Sequence, residues 1–302
     1  MSAPVGIPVI DLATATGDEL VAGLQGNSCV FLTGLGSIPA ELEAMLAAAR
    51  TFFDQPEEKK SSVRWSGTGK WQGWQPVYSG KSGAAPMERF EVALPDPADF
   101  PTEADWLATF AQWPSEPAEL RATWATYYRG MRELASHLVT LISESLALPS
   151  GDLPAWTNGQ MSNLCVNHYL AQTEPPPPGQ ERLRPHTDIG GLTLLWGENT
   201  SGGLHAQLGP DGAWVPVEFP ENSFLLQAGD LLHLWSGGTI PANLHRVVNP
   251  PRTAGHVARE RYSVVFFHHP DLDSWVAPAH SEADAVNARE HVLARQSNSY
   301  QA

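Results

Sequence analysis

Apolar residues recur over 38–53 in steps of three and four: Leu42, Met45, Leu46, Ala49, Phe52 and Phe53 share one helical face, and Pro56 closes the segment. The period is stronger from Glu119 onward. Leu120, Trp124, Tyr127, Met131, Leu134, Leu138 and Leu141 make a continuous stripe, predicting one long helix within 116–148 that lies against something large. "IPVIDL" (7–12) and "CVFLTG" (29–34) read as short strands. Residues 57–76, "EEKKSSVRWSGTGKWQGWQP", show no period and read as loop.

After Pro154 the pattern changes to strands. "QMSNLCVNHYL", "HTDIGGLTLLW", "GGLHAQL", "AWVPVEF", "SFLLQAGDLLHLW", "ANLHRVV" and "RYSVVFFHHP" are each read as one strand, separated by Gly-, Pro- and Asn-rich turns. "EPPPPGQ" (174–180) can enter neither a helix nor a central strand. A last helix is expected over 281–298 with Ser281 as its N-cap. The expected fold class is mainly β with flanking helices, a sandwich or barrel. One domain is expected over 1–302: an N-terminal helix and strand part (1–115), the buttressing helix, a β core (155–275) and the closing helix.

Composition narrows the function classes. The chain is 42% hydrophobic and 17% charged, which suits a sizeable core. A net charge of −15 and no Lys/Arg cluster argue against nucleic acid and anionic membrane as partners. No run is long and apolar enough for a membrane span, and the N-terminus lacks the pattern of a secretion signal. The two cysteines, Cys29 and Cys165, read as free thiols in a reducing cytoplasm. A small-molecule substrate is the expected partner; nothing in the pattern sets an oligomeric state.

Three groups of residues could carry chemistry. His186 and Asp188 are two apart on an extended segment, so they point the same way, about 7 Å apart along the chain. They are read either as two ligands of a two-His, one-carboxylate metal site or as a chance pair of surface or hydrogen-bonded side chains. A third ligand must be a downstream histidine, and His205, His233 and His245 all qualify. In "RYSVVFFHHP", Arg261, Ser263, Val265 and Phe267 share one strand face, so Arg261 looks toward an apolar interior. A buried guanidinium needs an anion, either from the protein or from a ligand. Asn167 and Tyr169 share a face in the same way and, taken alone, read as satisfied core polar groups. His268 and His269 are adjacent, face opposite ways, and read as structural.

"HTD", a later "LHRVVNP" and then "RYS", in this order, resemble the Fe(II)- and 2-oxoglutarate-dependent dioxygenases, in the branch typified by isopenicillin N synthase and the plant flavonoid and gibberellin oxidases. "IPVIDL", "FFDQPEEKK" and "MERFEVAL" resemble that family's N-terminal part. The resemblance implies a double-stranded β-helix, or jelly roll, with iron inside. It implies His186, Asp188 and His245 as Fe(II) ligands, Arg261 and Ser263 as the grip on the far carboxylate of 2-oxoglutarate, and Asn167 and Tyr169 as co-substrate contacts. It also implies the reaction: O2 and 2-oxoglutarate are consumed, succinate and CO2 are formed, and a small molecule is hydroxylated, desaturated or cyclised. Asp188 speaks against the halogenating relatives, which lack the carboxylate. Rival readings are an iron oxidase that does not use 2-oxoglutarate, a non-catalytic binder on the same fold and a zinc hydrolase.

Two segments depart from the family's pattern. "GGTIPAN" (237–243) stands where "NGRYKS" is common, and is expected near the pocket mouth, affecting access; "LGSI" (35–38) stands where "NHGI" is common. Trp71, Trp74 and Tyr78 are expected either as an aromatic wall of the substrate pocket or as ordinary packing.

Overall fold

Strands β1 (Val9–Asp11) and β2 (Cys29–Thr33) pair in parallel, joined by α1 (Gly17–Asn27). The apolar period gives no sign of α1, because only Leu20, Val21 and Leu24 are buried. Its start is nonetheless written in the chain: the Glu19 amide donates to Thr16 Oγ1, and the Thr16 amide donates back to Glu19 Oε2. Helix α2 (Ile38–Phe53) has the expected bounds.

Residues 57–76 are not all loop. They carry α3 (Glu57–Lys60), a 3-10 turn (Ser61–Val63) and β3 (Gly73–Gln75), which pairs with β4 (Met87–Leu94). Elements this short bury too few positions to show a period. After α4 (Glu103–Ala108), the long helix α5 runs Leu120–Ser145. Leu134 and Leu141 of the predicted stripe lie at its edge, while Ala135, Val139 and Ile142 are fully buried. The computed structural model describes residues 6–65, 72–76, 87–95, 99–110, 112–158, 162–172, 181–200, 203–209, 212–249, 259–279 and 285–301.

The rest of the chain is α6 (Leu153–Thr157), β5 (Ser162–Tyr169), β6 (Glu181–His186), β7 (Leu192–Gly197), β8 (Leu204–Leu208), β9 (Ala213–Pro216), β10 (Phe224–Ala228), α7 (Asp230–Trp235), β11 (His245–Val248), β12 (Arg261–His268), β13 (Trp275–Val276), β14 (Val286–Asn287) and α8 (Ala288–Gln301). Three expectations are corrected here. "HTDIGGLTLLW" is not one strand: β6 ends at His186 and β7 starts at Leu192, in different sheets. "SFLLQAGDLLHLW" breaks at Gly229 into β10 and α7. The C-terminal helix begins at Ala288, because Val286 and Asn287 pair with β13 first; Ser281 lies outside the described residues.

Among the described residues an eight-stranded sheet, in the order β1-β2-β10-β7-β12-β5-β4-β3, faces a four-stranded sheet, β6-β11-β8-β9. This is the expected jelly roll with flanking helices. The N-terminal strands β1 to β4 extend the large sheet on both edges. Alternation sorts the large sheet's side chains. Tyr262, Val264 and Phe266 of β12, with Leu164 and Val166 of β5, join the core beneath α2 and α5. Tyr169 and Val265 join the smaller core between the sheets, with Leu195, Leu204 and Val247.

Trp74 belongs to the core beneath the helices. It is 1% exposed, and its Nε1 donates to Glu88 Oε2 at 2.7 Å. Of the two readings of Trp74, packing is the one observed; Trp71 and Tyr78 lie outside the described residues. No described helix is long and apolar enough to cross a membrane.

Candidate metal centre

His186 is the last residue of β6, and His245, the first of β11, is its register partner across an antiparallel pair. Residues far apart in sequence are thus neighbours in one sheet. Asp188 sits two residues beyond the strand, on the corner that carries the chain into the large sheet. The start of α7 clasps that corner: Asp230 N donates to Asp188 O (2.8 Å), Leu231 N to Gly190 O (2.9 Å) and Gly229 N to Gly191 O (2.8 Å). A Cβ on Gly229 would meet Gly190 O at 2.3 Å, so only glycine permits this approach. Thr187, between the two residues, accepts from Arg295 of α8 at 2.8 Å.

The donor atoms converge. Asp188 Oδ1 lies 3.9 Å from His186 Nε2 and 3.8 Å from His245 Nε2, and the two rings are 4.2 Å apart. His186 Nδ1 faces Arg184 O at 2.8 Å, and His245 Nδ1 faces Asn243 O at 3.1 Å. A carbonyl can only accept, so each Nδ1 carries the proton and each Nε2 presents a lone pair toward Asp188. Burial, with the neighbouring His245, holds His186 well below the ordinary imidazole range. Asp188 Oδ2 is buried with no hydrogen-bond partner. Two lone pairs and an orphaned carboxylate oxygen fit a divalent cation.

No other described group of His, Cys, Asp or Glu has metal-binding spacing. His205 lies opposite Arg246 and outside the cavity, and His233 is in α7 with Nδ1 on Ile240 O at 2.8 Å. His268 is fully buried, with Nδ1 3.4 Å from Ser162 Oγ.

These three residues open on a cavity of about 200 Å³ between the sheets. Arg261, Ser263, Asn167 and Tyr169 line it too; alternation predicted that each pair shares a face, and the resemblance that both pairs meet the co-substrate. Arg261 is 2% exposed; its Nε donates to Glu198 O at 3.2 Å and its Nη1 has no partner. Burial pulls its pKa below the ordinary guanidinium range, opposed by Tyr169 and Glu198. Asn167 Nδ2 donates to Ser263 Oγ at 3.3 Å. An orphaned, buried guanidinium nitrogen beside a serine hydroxyl is a ready carboxylate clamp.

Sequence reasoning missed what supports these groups. A Cβ on Gly197 would stand 2.5 Å from Arg261 Nη2 and 3.2 Å from the Phe219 ring, so this glycine leaves room for the guanidinium. Gly197→Ala is expected to raise the KM for 2-oxoglutarate about tenfold by displacing Arg261, with the metal dissociation constant unchanged. Titrating both on one preparation checks it, and equal KM values would refute the notch. Gln227 and Asn243, 1% and 0% exposed, form a second support: Gln227 Nε2 donates to Asn243 Oδ1 and Asn243 Nδ2 to Ser28 Oγ. This row fixes the carbonyl that orients His245. Segment 237–243, expected near the pocket mouth, does not line the cavity at Thr239, Ile240 or Pro241, and Ile240 is fully buried in the main core.

The description "2OG-Fe(II) oxygenase superfamily" matches residues 161–270, and "non-haem dioxygenase in morphine synthesis N-terminal" matches 7–116. Validamycin A dioxygenase of Streptomyces hygroscopicus subsp. limoneus is 30% identical over 291 residues, covering 90% of this chain and 79% of the relative. The chain belongs to the 2OG-Fe(II) oxygenase superfamily. This oxygenase is also 28% identical over 277 residues to the 2-oxoglutarate-dependent dioxygenase tropC of Talaromyces stipitatus, covering 87% of this chain and 82% of that one. A full-length Neurospora crassa protein solved with alpha-KG and thymine shares its fold, with a TM-score of 0.82, 24% identity and 97% of each chain covered. The dioxygenase for auxin oxidation from rice has a TM-score of 0.76 at 23% identity, with 97% of this chain and 96% of that chain covered. The oxygenase is a 2-oxoglutarate-dependent dioxygenase that uses Fe(II), 2-oxoglutarate and O2.

Proposed function

We propose that this dioxygenase holds Fe(II) on His186 Nε2, Asp188 and His245 Nε2, and the far carboxylate of 2-oxoglutarate on Arg261 and Ser263. Asn167 and Tyr169 support that grip, and the enzyme oxidises a small organic molecule. The observation that carries the assignment is one cavity lined by both an orphaned carboxylate oxygen between two histidine lone pairs and an orphaned, buried guanidinium nitrogen.

Each residue's part follows from its contacts. The Nδ1 bonds to Arg184 O and Asn243 O set the tautomer of both imidazoles and fix them in rotation. Asp188 brings the single negative charge. Arg261 takes one end of a diacid and so limits how its other end can turn. Asn167 holds the Ser263 hydroxyl oxygen, leaving its proton for an incoming acceptor. Leu195, Leu204, Val247 and Val265 make the cavity wall apolar, which limits water near the reacting groups. Bound there, Fe(II) and 2-oxoglutarate supply O2-dependent oxidation of an unreactive C–H bond, with succinate and CO2 as by-products.

A small-molecule substrate is supported by the relative named for validamycin A and by the Neurospora structure that contains thymine. A cytoplasmic location belongs to the same proposal, supported by the two buried, free thiols Cys29 and Cys165. The test is spectroscopic first. Fe(II) and 2-oxoglutarate added without air are expected to give a visible charge-transfer band, which active substrates perturb. Succinate should then appear in step with oxidised substrate; oxidation without succinate would point to an oxidase that does not use 2-oxoglutarate.

A further inference from the structure

A second arginine lies close to the first and is wholly without an anion. Arg182, on β6, is 2% exposed, yet its Nε, Nη1 and Nη2 are all buried without a hydrogen-bond partner. No other described side chain leaves three polar atoms in that state. The β6–β11 register explains how it is placed. Val247 pairs with Leu183 and Val248 with Glu181, so Arg182 is skipped as a bulge residue. A bulge re-aims the side chain it carries.

Its guanidinium carbon lies 5.5 Å from the centroid of the Tyr169 ring, and that of Arg261 lies 5.3 Å from the same centroid. Two cations therefore converge on one phenol ring. Burial, with the neighbouring Arg261, pulls the Arg182 guanidinium down to about 10, so it is still charged at neutral pH. The nearby carboxylates are engaged elsewhere: Glu198 takes Arg50 and the Tyr262 amide, and Glu181 takes Arg246. Burying an unpaired charge costs several kcal/mol. Such a group persists where function delivers its partner.

We infer that Arg182 is a second positioning residue for the far carboxylate of 2-oxoglutarate, sharing it with Arg261 from the opposite sheet. The inference rests on the co-substrate site proposed above. A carboxylate has about four acceptor positions, enough for a two-pronged Arg261, the Ser263 hydroxyl and one further guanidinium N–H. The dianion then offsets two neighbouring guanidiniums, Arg261 in the cavity lining and Arg182 just outside it against the same Tyr169 ring.

The test uses full-length protein loaded with Mn(II), which allows binding without turnover. Dissociation constants are measured by calorimetry for 2-oxoglutarate and for 2-oxopentanoate, which has a methyl group in place of the far carboxylate. Arg182→Met is expected to weaken 2-oxoglutarate at least about tenfold, the usual weight of a charged hydrogen bond, and to leave 2-oxopentanoate within about twofold. Arg182→Lys should fall between wild type and Arg182→Met. Ligand-free Arg182→Met should melt no lower than wild type, because an unpaired charge has been removed. Equal losses for both keto acids, or 2-oxoglutarate affinity within about twofold of wild type, would overturn the inference. If Arg182→Met does not fold, unchanged 2-oxoglutarate affinity in Arg182→Lys overturns it instead. Arg261→Leu separates the two levels: should it keep wild-type 2-oxoglutarate affinity, the co-substrate site itself is misassigned.

Discussion

His245→Ala is expected to abolish turnover and weaken Fe(II) binding more than about 100-fold, beyond what losing an outer partner of a metal ligand costs. His205→Ala and His233→Ala are expected to keep iron affinity within about twofold and to remain active. The three histidines are equivalent by sequence setting, and geometry separates them. Only His245 places Nε2 within 3.8 Å of Asp188 Oδ1, while His233 spends its Nδ1 on Ile240 O and His205 stands outside the cavity. Anaerobic Fe(II) titration of the three variants, followed by succinate release, is the measurement. Full iron binding by His245→Ala would remove the centre from where we place it.

Glu88→Ala is expected to cost about 3–5 kcal/mol of stability while leaving Fe(II) affinity unchanged. The Glu88 side chain is 4% exposed and serves three donors: Lys60 Nζ at 2.8 Å, Trp74 Nε1 at 2.7 Å and His168 Nδ1 at 3.0 Å. Its loss leaves a buried ammonium with only Phe53 O and a buried indole with no acceptor. The drop should appear as a fall in Tm on the order of 10 °C. Burial pushes the Glu88 carboxyl up, but the bonds from His168, Lys60 and Trp74 outweigh it and hold the group below the ordinary carboxylate range. Its contribution is thus fully present above the unfolded carboxylate pKa and is lost as pH falls through the lower folded value. Glu88→Ala should flatten that acid limb; a variant as stable as wild type at neutral pH would show that the cluster contributes nothing.

Much of this arrangement is legible in the sequence. The stripe over 38–53 gave α2 its bounds because its apolar positions sit on one face and Pro56 follows. Alternation put Arg261 with Ser263 on one face of β12 and Asn167 with Tyr169 on one face of β5, and both faces line the cavity. What escaped has physical causes. The run 223–235 is apolar on both sides of Gly229, so neither half announces a change from strand to helix. Arg182 is turned inward by a bulge, and an extra residue in one strand breaks the period that would reveal it. Trp74 could not be assigned because an indole suits a pocket wall and a core equally well; the acceptor on Glu88 decides it.

Strand β12 has one further consequence. Its odd-numbered side chains, from Arg261 to Phe267, meet the ligand cavity, and its even-numbered ones, from Tyr262 to Phe266, anchor the helical layer. Parity thus divides the labour of a single strand. Selection for a new substrate can rewrite one set while the other keeps the protein folded. A slip of one residue would exchange the two roles at every position at once, so what is free to diverge in this strand is its chemistry, never its alignment.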